Sequence, residues 1–245
     1  MGSGHRPITP GTILLLNILT LGTVLLILPP GTGPCAAASE IHLSPLGNDL
    51  DGDGSAARPI QTFAKALEMS IGAEEIVLRL APGVYSRVDT GEELPIHIEP
   101  WTRLVISGPE QGDAEIRGSD EDALLEVLVR SGNPQAAIRI EGLRFKGGLT
   151  GVSVVGEAST DFVLEVSAVR FAGQKYQSLE TVPGPYGSAR AILHGNTLDG
   201  TAAFGIDLAT REGSVLNVSI EENRLGPPQG PDPPPDGGSS AIPSY

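Results

Sequence analysis

A repeat of about 27 residues in the C-terminal half of the chain is the feature that most constrains its fold. Four segments of similar pattern end in apolar residues spaced by 26, 27 and 27 residues, namely Phe145, Phe171, Leu198 and Leu225. A second apolar series keeps a spacing of 27 and consists of Val152, Leu179 and Ile206. A repeat of this length without a helix is typical of a parallel β-helix, in which three short strands and their turns form one coil, stacked on the next at about 4.8 Å.

Short β-type runs separated by glycine turns continue to about residue 225, and the chain shows no convincing helix after residue 85. In a solenoid of five to seven such coils, Asn196 and Asn223 would stack their side-chain amides in a turn. The alternative is a β-sandwich in which the spacing arises by chance. Before these strands, Thr62 is placed to cap a helix that continues to Ile71 and ends at Gly72.

The first 38 residues have the pattern of a secretory signal peptide. Basic residues precede an uncharged apolar run, Thr12–Leu28, and small residues follow, so we expect cleavage after Ala38 and an exported mature protein. Two alternatives stay open: a lipid anchor at Cys35, and an uncleaved segment that spans a membrane. We therefore divide the chain into a leader (1–38), a β-helix domain (39–225) and a Pro/Gly-rich tail (226–245).

The tail cannot continue a sheet, because seven of its 20 residues are prolines. No cap for the last coil is evident in the sequence. We expect either that the tail covers this end or that a second subunit does so through self-association. The third alternative is a shortened relative of longer β-helix proteins.

Charge and cysteine content exclude several classes of protein. The net charge of −14 argues against a nucleic-acid binder and against binding to an anionic membrane through a basic patch. The single cysteine excludes a disulfide framework and any zinc site built from several cysteines.

The segments 44–68 and 77–86 resemble the opening of secreted right-handed parallel β-helix proteins of the pectin-lyase-like superfamily, including a domain of unknown function with the same opening motif. The matching residues are Gly47, Asp49, Gly54, Ser55, Pro59, Thr62, Ala66, Pro82, Gly83 and Tyr85. The resemblance implies an exported right-handed parallel β-helix whose first coil is covered by the Thr62–Ile71 helix. It also implies activities directed mostly at polysaccharides, although the motif marks the fold and not the chemistry.

An acidic loop is the first candidate site. Alternating carboxylates of the kind that wrap Ca²⁺ occur in this loop, at Asn48, Asp49, Asp51 and Asp53, although the bidentate glutamate of an EF-hand loop is missing. Calcium bound weakly here would staple the cap to the first coil. The alternative is a solvated turn whose Asp and Gly residues serve its geometry.

Basic residues on the repeats are the second candidate. Arg144 and Arg170 lie 26 residues apart, so they are expected to stack on one outer face, where Lys146 would join them against an anionic sugar. Arg139 and Lys175 belong to the same basic set. The alternative is surface ion pairing, with Glu141 and Glu165 as the nearest partners in sequence.

Two acidic sets are candidates for catalysis. One is the stretch Glu110–Glu126, with seven acids and Arg117, which resembles the calcium-binding acids and the base of pectate lyases. The other is Asp199 and Asp207 with His194, a pair of carboxylates of the type that glycoside hydrolysis needs. Aromatic residues are scarce, at 4%, which argues against a sugar-binding groove, and we expect Trp101 to cover the edge of the core.

These observations favour an exported, non-catalytic β-helix module that binds glycan or serves as a surface scaffold. The alternative is a polysaccharide lyase or hydrolase that acts on a uronate-rich polymer. Calcium is the one cofactor that the pattern suggests.

Overall fold

The computed structural model describes residues 39–133, 135–200 and 204–226. The described residues belong to one compact unit. The leader 1–38, with its cleavage site and Cys35, lies outside the described residues, as does the tail after Gly226. Their assignments stay predictions.

The described residues form one helix and eighteen strands, arranged as successive coils. Strand β1 (Ser39–Leu43) precedes the helix α1 (Phe63–Met69). Five complete coils follow, with the bounds β2 (Glu75–Leu80), β3 (Gly83–Ser86) and β4 (Ile96–Ile98); β5 (Arg103–Ser107), β6 (Ala114–Arg117) and β7 (Ala123–Val129); β8 (Ala136–Glu141), β9 (Leu143–Lys146) and β10 (Thr150–Gly156); β11 (Asp161–Ser167), β12 (Arg170–Ala172) and β13 (Gln177–Val182); β14 (Ser188–His194), β15 (Thr197–Asp199) and β16 (Phe204–Leu208). A sixth coil begins with β17 (Val215–Glu221) and β18 (Arg224–Leu225).

The strands form three parallel sheets, because each strand of a coil pairs with the corresponding strand of the next. Sheet I has the order β1-β2-β5-β8-β11-β14-β17, sheet II the order β3-β6-β9-β12-β15-β18, and sheet III the order β4-β7-β10-β13-β16. Every pair of neighbouring strands in these sheets is parallel. The all-β parallel solenoid predicted from the repeat is confirmed, and the antiparallel sandwich is excluded for the described residues.

The apolar repeat forms columns inside the coils, as predicted. Phe171 pairs in register with Phe145 on one side and with Leu198 on the other, and Leu198 pairs with Leu225. The rings of Phe145 and Phe171 stack with centroids 5.4 Å apart and an interplanar angle of 13°. This column therefore fills the space between the sheets over consecutive coils.

The column continues into the first two coils, where the repeat is not visible in the sequence. Ile116 pairs with Phe145, and Tyr85 pairs with Ile116, at sequence spacings of 29 and 31 residues. The longer spacings arise from longer turns, since the strands themselves stay in register. Five complete coils agree with the lower end of the expected number.

The helix α1 covers the first coil but is shorter than predicted. Thr62 caps it by accepting a hydrogen bond from the Lys65 N–H at 3.2 Å, and Phe63 packs edge-on against Tyr85 with ring centroids 5.9 Å apart. The helix ends at Met69, two residues before Ile71, because the Ser70 backbone, with ψ 0°, leaves helical geometry; the Ser70 hydroxyl donates to the Ala66 carbonyl at 2.7 Å. Within the described ranges, no helix has the length and apolar character needed to cross a membrane.

Candidate functional site

The predicted basic residues meet on the outer surface of sheet II. Arg144 and Arg170 pair in register across β9 and β12, and Lys146 pairs with Arg117 across β9 and β6. They point outward because side chains alternate along a strand and the intervening Phe145 is buried in the core. We call the surface formed by Arg117, Arg144, Lys146 and Arg170 the basic face.

A buried carboxylate organises one side of the basic face. Glu115 lies next to Arg144 in register and forms an ion pair with it, with 3.2 Å between Glu115 Oε2 and Arg144 Nε. The other oxygen of Glu115 accepts from the Arg117 Nε at 2.6 Å. Because one carboxylate binds two guanidinium groups, the three side chains together carry a net positive charge, and the carboxylate holds both arginines in place.

The other two cations of the basic face have weaker contacts with acidic groups. Arg170 has its nearest acidic partner in Asp113, with 4.0 Å between Nη1 and Oδ2. Within the described residues, the Lys146 ammonium makes no hydrogen bond and no ion pair. Lys146 is therefore free to bind an anion from solution.

A shallow groove of about 360 Å³ runs between these cations. Arg117, Arg144 and Lys146 line it together with Gly118, Gly147, Ala172 and Gly173, and no acidic residue is among the described residues that line it. The backbone of Gly147 has φ +70°, and a Cβ built at this position would lie 2.6 Å from the Gly118 carbonyl oxygen. Small residues thus keep the floor of the groove open to a ligand that approaches the cations.

The rest of the predicted basic set lies elsewhere. Arg139 is on β8 in sheet I, where it forms ion pairs with Glu141 at 2.9 Å and with Glu165 at 3.6 Å. This is the surface ion pairing given above as the alternative to sugar binding. Lys175 is exposed in the turn between β12 and β13. Sequence spacing had not placed Arg117 in this set, because it lies 29 residues from Lys146 and not 27.

The four predicted calcium ligands lie in one loop, but their oxygens bind groups of the protein. The side-chain oxygen of Asn48 accepts from the Asp51 N–H at 3.1 Å. The Asp49 carboxylate accepts from the Gln61 N–H at 2.6 Å and from the Thr62 hydroxyl at 2.7 Å. Asp49 therefore ties the loop to the start of α1.

Arg58 supplies the positive charge of this loop. Its guanidinium donates to the Asp53 carboxylate at 3.3 Å and to the Asp51 carbonyl. Hydrogen bonds from Ser55, together with the Arg58 charge, hold the pKa of Asp53 below its usual value. Among the described residues, no three His, Cys, Asp or Glu side chains are grouped to hold a metal ion. The side chains of the loop thus hold the turn by their own hydrogen bonds, and calcium binding at these four residues stays a prediction.

The predicted catalytic sets are divided among the sheets. His194 is on β14 in sheet I, Asp199 on β15 in sheet II and Asp207 on β16 in sheet III. The acidic stretch divides in the same way, with Glu115 in sheet II and Glu126 in sheet III. The structure therefore does not bring either set together on one face.

A buried carboxylate at the N-terminal cap was not anticipated from the sequence. Glu92 is 1% exposed, and both its oxygens accept from the Phe63 N–H at 3.2 Å. Burial raises the pKa of Glu92 to about 7, and the nearby Asp49 charge adds to the shift. Glu92 thus holds the loop before β4 against the first turn of α1.

Comparison with known proteins gives one family match. A family model described as "Protein of unknown function (DUF1565)" matches residues 46–157, which run from the acidic loop through the third coil. No curated protein and no solved structure matches the chain significantly. The match and the solenoid are together consistent with a β-helix family.

Proposed function

We propose that this chain is an exported, non-catalytic β-helix module that binds an anionic polysaccharide along the basic face. The observation that carries the proposal is the groove lined by Arg117, Arg144 and Lys146, in which the Lys146 ammonium has no protein partner among the described residues. A cationic groove on a chain of net charge −14 concentrates an anionic ligand at one place and repels it elsewhere.

Two features of the sequence support the polysaccharide class and export. The opening motif resembles that of the pectin-lyase-like superfamily, and we propose that the chain is a relative of it. The leader 1–38 supports export. Cations in register on successive coils also suit a polymer that carries charge at regular intervals, since each coil advances by about 4.8 Å.

Binding to charged and uncharged polymers tests the proposal. We expect the purified mature chain to bind polygalacturonate or alginate, to ignore dextran, and to lose affinity as salt is raised, because the contact is electrostatic. Lys146→Gln and Arg144→Gln are each expected to weaken binding about threefold to tenfold. Arg139→Gln is the matched control, since Arg139 lies on sheet I and is paired there. The proposal would be overturned if the chain bound neither polygalacturonate nor alginate. It would also be overturned if Arg139→Gln weakened binding as much as Lys146→Gln and Arg144→Gln.

The same polymers distinguish an enzyme from a non-catalytic binding module. A lyase acting on polygalacturonate or alginate releases unsaturated product that absorbs in the ultraviolet. We expect binding without this absorbance, with calcium present or absent. Steady product release that Lys146→Gln abolishes would instead establish the lyase.

A further inference from the structure

A second groove lies on the surface between the end of α1 and strand β4. Its volume is about 600 Å³, within the range of small-ligand pockets. Leu67, Ile76 and Ile98 provide its apolar lining, and Trp101 and Ile71 stand at its edge. The groove is separate from the basic face, because it shares no lining residue with the groove of sheet II.

Trp101 gives this groove its distinctive surface. It is the single tryptophan of the chain and is 50% exposed, so half of its surface faces solvent. Ile71 beside it is 83% exposed. An exposed indole next to apolar side chains offers a flat apolar surface with one polar N–H, which suits a ligand that has both apolar and polar faces.

The polar wall of the groove is held rigid by a network of charges. Glu99 accepts from the Arg130 Nε at 2.9 Å and from its Nη2 at 2.5 Å. His97 Nε2 lies 3.1 Å from the Glu99 carboxylate, and His97 Nδ1 lies 3.7 Å from Glu126. The hydrogen bonds from Arg130 lower the pKa of Glu99, so this acceptor is ionised and fixed before any ligand arrives.

We propose that this groove binds the ring of an uncharged sugar, stacked on Trp101 with a hydroxyl group donating to the Glu99 carboxylate. The charge of the wall selects the class of ligand. Glu74 and Glu99 are the acidic residues of the lining, and no Lys or Arg is among the described residues that line the groove. Arg130 behind the wall pairs with Glu99 but also with Glu157 at 2.7 Å, so this single cation leaves the wall with a net negative charge. An acidic sugar would be repelled here, whereas the basic face would attract it.

The single tryptophan makes the test direct, because all tryptophan fluorescence comes from the groove. The probes are methyl glucoside and methyl galactoside, each matched with the corresponding methyl uronide. We expect a saturable change in Trp101 emission with at least one of the neutral glycosides, and at least tenfold weaker binding of its uronide. Calorimetry provides a second measurement that does not depend on the indole.

Variants assign the binding to the groove. Trp101→Ala is expected to weaken binding at least tenfold by calorimetry, and Glu99→Gln about threefold to tenfold while preserving the shape of the wall. Tyr186→Ala is the matched control, because Tyr186 is an exposed aromatic residue between β13 and β14, outside the groove. Thermal melts establish that each variant is folded.

Several outcomes would overturn the proposal. These are the absence of saturable binding with both neutral glycosides, equal or tighter binding of the uronides, and unchanged binding in Trp101→Ala. A change in Trp101 emission with protein concentration alone, without any effect of sugar, would identify the groove as a contact between copies and would also overturn it. Lys146→Gln is expected to leave the Trp101 signal unchanged, so this proposal and that for the basic face fail independently.

Discussion

At the scale of single residues, the most unusual group is the Glu92 carboxylate. A buried carboxylate is usually paired with a cation, but Glu92 faces the Phe63 N–H and the Asp49 carboxylate, which itself binds Thr62. Tyr85 is also close: burial raises the pKa of its hydroxyl, and the Glu92 charge adds to this shift. The cap is therefore held most firmly when Glu92 is protonated.

Stability of the fold is expected to fall as Glu92 ionises. Its pKa rises from 4.5 to about 7 on folding, so the folded state binds the proton more tightly than the unfolded state. The contribution is fully present below pH 4.5 and is lost as the pH rises through 7, with a ceiling of about 3 kcal/mol. Glu92→Gln should remove this part of the pH dependence in urea unfolding between these limits.

Glu93→Gln is the control for this pH dependence, because Glu93 is the exposed neighbour of Glu92 and carries the same charge. Its pH profile is expected to follow that of the wild type. A Glu92→Gln profile as steep as that of the wild type would contradict the assignment.

At the scale of elements, glycines mark the ends of the sheet II strands. Gly147 and Gly173 follow β9 and β12, and their backbone N–H groups donate to Ala172 and Asp199 in the next coil. Both have positive φ, +70° and +72°, which a residue with a side chain adopts only with strain. Their surroundings differ, because a Cβ at Gly147 would meet a backbone carbonyl and a Cβ at Gly173 would meet nothing within 4 Å.

This difference predicts unequal effects of the same substitution. Gly173→Ala is expected to lower the free energy of unfolding by about 1 kcal/mol through backbone strain alone. Gly147→Ala adds a clash with the Gly118 carbonyl oxygen, 2.6 Å away, and is expected to cost at least twice as much. Urea unfolding of both variants measures the two costs, and equal values would show that the turn relaxes freely around the new methyl group.

The same coil geometry explains which parts of the site could be predicted from sequence. Residues one repeat apart become neighbours, so the pairing of Arg144 with Arg170 followed from their spacing of 26. The amide stack was predictable for the same reason, and Asn196 Nδ2 donates to Asn223 Oδ1 at 2.8 Å. Arg117 was not predictable as a neighbour of Lys146, because a longer turn changes their spacing.

Residues close in sequence are separated by the same geometry. A single coil sends its three strands to three sheets, which is why His194, Asp199 and Asp207 lie on different sheets. The pairing of Asp53 with Arg58 was also beyond sequence reasoning. The sequence shows the acidic residues of this loop, but it does not show that the guanidinium of Arg58 binds among them.

At the scale of the whole molecule, the two ends of the described solenoid differ. At the N-terminal end, α1 and β1 cover the first coil, and Tyr85 is fully buried there. At the other end, Ile220 and Leu225 are 52% and 70% exposed, although they continue the buried columns of Leu193 and Leu198. Self-association at this end stays a prediction.

The asymmetry predicts an order of local opening. Each coil is stabilised by its neighbours, and β17 has one neighbour, β14, among the described strands, whereas β8 has two. Hydrogen exchange under native conditions is therefore expected to be fastest in the amides of β17 and slowest in those of β5 and β8. Equal protection in β17 and β8 at low protein concentration would contradict this order and indicate that the end is covered within one chain.

The turns between strands differ in length from coil to coil, and this has a consequence for how such a molecule can change its size. Tyr85, Ile116 and Phe145 remain aligned although their sequence spacings differ. Residues inserted at a turn therefore project sideways and leave the rise of the solenoid unchanged, whereas duplication of a whole unit lengthens it by about 4.8 Å. Insertions in turns thus change the width of a coil, and duplication of a coil changes the length of the solenoid. The row of cations presented to a polymer can therefore be lengthened by duplication without a change in the interior.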